Sequence, residues 1–158
     1  MNRVLGLVLA LVVMCARPAF ADLTAFLGAT TTPDARQAKG IALGSGLLVV
    51  GFEFEYSATD EDPLAGAPSL KSGMGNLLLQ TPVSVLRTQP YFTIGAGVYR
   101  ERLGARERTN FGGNLGGGVK ITLVGPLRLR LDYRAFNLGS EALASPAHRL
   151  YAGVNLRF

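Results

Sequence analysis

A two-residue alternation of apolar and polar side chains runs through most of this chain, and it limits the folds open to it. Val50, Phe52, Phe54 and Tyr56 alternate with Gly51, Glu53, Glu55 and Ser57. The same period recurs in 92–99, 111–121, 127–135 and 149–158. Successive side chains on a strand point to opposite faces, so each segment reads as a strand with one apolar and one polar face. Three weaker segments, about 22–31, 38–47 and 71–80, bring the set to eight. No stretch carries a sustained helical stripe. The expected architecture is all-β, with loops of alternating length: Thr31–Gln37, Ser57–Ser72, Arg100–Asn110 and Asn137–Ala147 at one end, mostly shorter links at the other.

The first residues stand apart from this pattern. Arg3 precedes a 13-residue apolar run, Val4 to Ala16, and Ala19-Phe20-Ala21 is a small-x-small cleavage site. This is the layout of a secretory signal, too short for a spanning helix, which needs about 20 apolar residues. Domain 1–21 is therefore expected to be a signal peptide cleaved after Ala21, and 22–158 the single folded domain. Cys15, the only cysteine, lies in the leader, and Met14 before it is not the small residue that lipidation needs. Disulfide scaffolds and cysteine-based zinc sites are thereby excluded. Arg3 and Arg17 leave with the leader, so 14 basic residues face 11 acidic ones, a surplus too small to point to nucleic acid.

A barrel of alternating strands can be soluble, with its apolar face inside around an apolar ligand, or membrane-embedded, with that face outside. Arg128, Arg130 and Arg134 share one face of the seventh segment. Turned to lipid near midplane, each costs about 2–4 kcal/mol. The sum, roughly 6–12 kcal/mol, rivals the whole stability of a domain. The polar faces are also thinned by Gly95, Gly97, Gly112, Gly116, Gly118 and Gly153. Small residues there fit a narrow lumen that must hold long side chains, and serve nothing on a water-facing surface. The sequence thus predicts an eight-stranded antiparallel up-and-down transmembrane β-barrel. The soluble periplasmic or secreted barrel is the alternative.

With polar faces inward, strands three and seven lie across the lumen from each other. Counting from the short turns puts Glu53 and Glu55 at the heights of Arg130 and Arg134. A lumenal network of Glu53, Glu55, Lys120, Arg128, Arg130, Asp132 and Arg134 is expected, with Tyr99 nearby, since buried charge needs partners.

The end of the chain carries a resemblance. Ala152, Val154, Leu156 and the final Phe158 resemble the C-terminal signal of bacterial outer-membrane barrels, and Tyr91 with Gly95-Ala96-Gly97-Val98-Tyr99 resembles the fifth strand of the small OmpA-like barrel domains. The resemblance covers about 22–158 and stops short of the periplasmic peptidoglycan-binding domain of full-length OmpA. It implies an outer-membrane location in a Gram-negative-type bacterium, termini toward the periplasm, and lipid, lipopolysaccharide and the barrel-assembly machinery as partners. The implied role is structural or adhesive, through the external loops.

Other candidate sites are weaker. His148 with Ser145 or Ser140 and Glu141 has the residue types of a hydrolytic triad, which makes an outer-membrane lipid-modifying enzyme a third reading. Its surroundings do not match the lipid A deacylase motif, so no catalytic residue is assigned. Asp60-Glu61-Asp62 has calcium-binding chemistry without EF-hand spacing, so no metal is assigned. Gly112–Gly118 lacks the GK[ST] and following helix of a phosphate loop, and no cofactor is expected. Arg100, Arg102, Arg106 and Arg108, with Glu101 and Glu107, are expected to form a basic external loop.

Overall fold

In a computed structural model, residues 20–158 are described apart from Leu48, Ser140, Glu141 and Ala144. Ala19, and with it most of the leader, lies outside them. The chain forms β1 (Phe20–Thr30), β2 (Arg36–Leu47), β3 (Val50–Thr59), β4 (Ser69–Gln80), β5 (Thr88–Leu103), β6 (Arg106–Val124), β7 (Leu127–Asn137) and β8 (Ala147–Arg157). Each strand pairs antiparallel with the next, and β8 returns to β1, closing the barrel. At the seam the backbone of Ala21 gives and takes hydrogen bonds with that of Phe158, at 3.0 and 2.9 Å. Closure pairs the strand edges around the ring, the condition for crossing lipid with strands, while the projecting part of β6, Arg106–Gly112, pairs with β5 alone.

The two ends differ. The turn end carries both ends of the barrel chain and the links around 48–49, 81–87 and 125–126. In the second link Val85 and Thr88 exchange two hydrogen bonds of 2.9 Å around Leu86 and Arg87, both at positive φ. That is the left-handed geometry of a two-residue hairpin, here made without glycine. The loop end carries 31–35, 60–68 and 138–146.

The fourth connection at the loop end departs from expectation. Residues 100–110 are not a loop: β5 and β6 stay paired to Leu103↔Arg106, around a turn of Gly104 and Ala105. Gly104 takes a positive φ, which the tight turn requires. Charges hid this from the sequence. The pairs Arg102↔Glu107 and Glu101↔Arg108 alternate in sign across the strands rather than in hydropathy along them.

Parity assigns the faces. Leu27, Ile41, Phe54, Ile94, Leu115, Leu131 and Val154 project outward and are exposed, while Glu53, Glu55, Arg130, Asp132 and Arg134 point into the lumen and are buried. The soluble alternative needs the apolar face inside and does not fit this barrel.

The charged lumen as candidate functional site

The lumen is narrow, and glycine makes room in it. A Cβ on Gly116 would stand 2.9 Å from Arg134 Cγ, and one on Gly118 would stand 2.6 Å from the Tyr91 hydroxyl. Both are closer than real Cβ contacts allow, so the bare backbone is what lets a long arginine and a tyrosine lie across the bore.

Three guanidinium groups and three carboxylates fill the middle. Glu53 on β3 takes the fork of Arg130, with Nη2 to Oε1 at 3.1 Å, and also accepts from Arg134 Nη2 at 2.9 Å. Asp132 lies between the same two arginines, 3.1 Å from Arg130 Nη2 and 3.0 Å from Arg134 Nε. Glu55 bridges Arg134, at 2.9 Å, and Arg149, which donates as well to Ser57 Oγ at 2.5 Å. Tyr91 donates to Asp132 and accepts from Arg130 Nε at 2.7 Å. The guanidinium planes rest on rings, Arg130 4.9 Å from the Tyr91 centroid and Arg149 4.6 Å from that of Phe136. Charges taken out of water need this density of partners, because each desolvated ion costs several kcal/mol.

Not every residue expected in the network sits there. Lys120 and Arg128 lie nearer the turn end: Lys120 pairs with Asp22 at 2.7 Å, and Arg128 donates to Gln89 Oε1 at 3.1 Å. Tyr99 lies above the charges, where Leu70, Met74, Tyr99, Phe136, Leu138 and Ala147 form an apolar cap under the loops. Its hydroxyl donates to the Leu138 carbonyl. The cap gathers four strands and a loop, so no local pattern announces it. Arg149, Tyr151 and Asp22 join the lumen although sequence reasoning did not select them. Their parity on β8 and β1 was the available signal.

The remaining candidates separate. His148 Nδ1 is 2.8 Å from the Tyr133 hydroxyl, and the two rings stack with centroids 6.0 Å apart. Ser145 Oγ accepts from Leu138 N at 3.1 Å, while Ser140 and Glu141 lie outside the described residues. The three loop acids diverge. Asp60 faces Lys39 at 3.9 Å, Glu61 faces Arg102 at 3.5 Å, and Asp62 caps the amides of Leu64 and Ala65. Ala152, Val154 and Leu156 lie on the outer face of β8, and Phe158 follows its last residue, exposed.

No protein-family profile and no curated protein sequence matches the chain. Solved structures do match in fold. Neisserial surface protein A aligns with a TM-score of 0.68 at 17% identity, over 89% of this chain and 97% of its own. The N-terminal β-barrel domain of Pseudomonas aeruginosa OprF aligns with a TM-score of 0.69 at 14% identity, over 88% and 97%. This is the fold of the small eight-stranded outer-membrane barrels. Two further members of that fold differ in role. The outer-membrane enzyme PagL aligns at 0.55 with 14% identity, over 85% and 98%. Ail, the attachment invasion locus protein of Yersinia pestis, crystallised with the heparin analogue sucrose octasulfate, aligns at 0.54 with 10% identity, over 90% and 100%.

Proposed function

We propose that this protein is an integral barrel of the outer membrane of a Gram-negative-type bacterium. Its lumen is plugged by the Glu/Arg network and the cap, and it works through its loop end, in envelope integrity or surface interaction. The observation that carries this reading is the division of faces: apolar side chains ring the outside while charged and polar side chains fill the inside. Water would penalise the first, and lipid would penalise the second if the faces were exchanged. The turn end is then periplasmic and the loop end external. Ala152, Val154 and Leu156 on the outer face of β8, with Phe158 after it, are the surface the assembly machinery would read.

One register row supports lipopolysaccharide as the neighbouring lipid. Lys39 on β2, Lys71 on β4 and Arg100 on β5 lie on the outer face along one line of register, through Lys39↔Ala58, Ala58↔Lys71 and Lys71↔Arg100. The next outward line of register toward the turn end runs through Tyr56, Gly73, Val98 and Phe111. Cations one step outside an apolar and aromatic band suit phosphates at a lipid surface.

Fractionation with heat-modifiability on a gel tests the reading. A folded membrane barrel resists SDS, so an unboiled sample from outer membranes should migrate faster than a boiled one. Recovery in the soluble periplasmic fraction, without a mobility shift, would overturn it.

A further inference from the structure

The charge of the lumen is balanced in the middle and unbalanced at the turn end. Arg130, Arg134 and Arg149 face Glu53, Glu55 and Asp132, three against three. Lys120 is matched by Asp22. Arg128 is not matched in this way. It is 6% exposed, and among the described residues its hydrogen bond goes to Gln89, a neutral amide. Arg128, Lys120 and Arg157 line one cavity of about 410 Å³, together with Asp22, Glu53, Gln89 and Ser84. Asp22 attracts Arg128 at longer range but is already paired with Lys120, and Arg157 repels it; a guanidinium so placed, hydrogen-bonded to a neutral amide, makes the cavity it lines fit an anion. Its volume falls within the range of small-molecule sites.

Asp22 narrows the choice of anion. Its Oδ2 accepts from Lys120, and among the described residues Oδ1 is buried without a donor. A bare anion leaves that oxygen unsatisfied and adds repulsion. A group that bears negative charge and one O–H supplies both needs: its oxygens accept from Arg128 and Lys120, and its hydroxyl donates to Asp22.

We propose that the turn-end mouth of the barrel is a binding site for a singly protonated phosphate, either inorganic phosphate or a phosphate monoester. The network beneath it makes the site blind, so it holds its ligand rather than passing it. On the orientation proposed above, the ligand comes from the periplasmic side. The site itself rests only on the lumen and does not depend on the membrane reading.

The test is titration of the purified barrel, in neutral detergent, with inorganic phosphate followed by calorimetry. Saturable binding is expected, weakened at least tenfold by Arg128→Gln and unchanged by Arg106→Gln at the loop end. Sulfate, which has no proton to give Asp22, should bind at least tenfold more weakly than phosphate, and Asp22→Asn should abolish that preference. Heat-modifiability checks that each variant still folds. If Arg128→Gln does not fold, the phosphate-over-sulfate ratio of the unaltered protein decides. No saturation, equal affinity for the two anions, or full binding by a folded Arg128→Gln would each overturn the proposal. Repeating the titration in phosphatidylcholine vesicles, with and without phosphatidic acid, separates the sources. Loss of phosphate binding with phosphatidic acid assigns the site to a lipid headgroup, and retention assigns it to a soluble phosphate; either supports the site. The mobility shift in gels fails independently of these results, so failure of the membrane reading would be seen separately.

Discussion

The two halves of the bore are filled by opposite chemistry. Above, Leu70, Met74, Phe136 and Leu138 pack as a small apolar core under the loops. Below, arginines and carboxylates cross the lumen in pairs that tie β3 to β7 and β8. An apolar core tolerates changes of shape, because dispersion is non-directional and volume-conserving exchanges are mild. A buried ion network does not, because each group lost strands its partners. The apolar half therefore seals, while the charged half sets which strands face each other across the bore. Burying charge is weak evidence for stability in itself, and register is the better-attested use of it.

This contrast gives its largest effect at Arg134, which touches all three carboxylates of the cluster. Arg134→Leu should destabilise the barrel by about 3–5 kcal/mol, read from urea unfolding in vesicles. A loss under 1 kcal/mol would show that water or rearrangement satisfies the lumen without it. Met74→Ala, in the cap, should cost about 2–4 kcal/mol, while Met74→Leu should cost under about 1.5 kcal/mol. If the conservative change were as harmful as the truncation, the tolerance assigned to the apolar half would be wrong. Gly118→Ala puts a methyl against the Leu131 carbonyl and the Tyr91 hydroxyl and should cost about 1–3 kcal/mol by overpacking. Tyr91→Phe removes the hydroxyl obstacle but also its bonds to Asp132 and Arg130, so the double variant should be no more stable than Gly118→Ala by urea unfolding. The smallest effect belongs outside the bore. Glu107→Gln breaks the exposed pair with Arg100, 3.5 Å long, and should change stability by less than about 1 kcal/mol. A larger change would mean that the projecting hairpin is coupled to the barrel below it.

Much of the architecture was legible because a half-buried strand writes its two faces into alternate residues. Even β4 keeps the parity, with Leu70, Ser72, Met74, Asn76 and Leu78 buried in turn. The upper halves of β5 and β6 were not legible. On β6 both faces of Arg106–Phe111 meet water, and on β5 the buried position Glu101 is itself charged and accepts from Leu143 N at 2.8 Å, so hydropathy does not alternate and the strands read as a loop. Inside the bore, parity puts Glu53 and Arg130 on the same side of the sheet, and counting puts them at one height. Which carboxylate meets which guanidinium depends on reach, and long side chains span more than one level. Arg134 reaches both Glu53 and Glu55, and Arg149 shares Glu55 from the neighbouring strand. Tyr99 shows the limit of the method. Its parity is inward, yet it belongs to the cap because its height, one level above the charges, decides its company.

The seam between β1 and β8 has a consequence in time rather than in space. Leu23 and Leu156, both inside the expected mature domain, are 133 positions apart and stand in register across it. Every other strand pair is a hairpin between neighbours in the chain, but this one cannot form until the other seven are in register. Until then the sheet has two open edges, each a template for pairing with a foreign strand. A slip of two residues in any hairpin shifts the heights of the lumenal charges and leaves the last pair out of step. The barrel therefore tests its own assembly at the final step, and an incorrectly threaded sheet stays open for longer than a correct one.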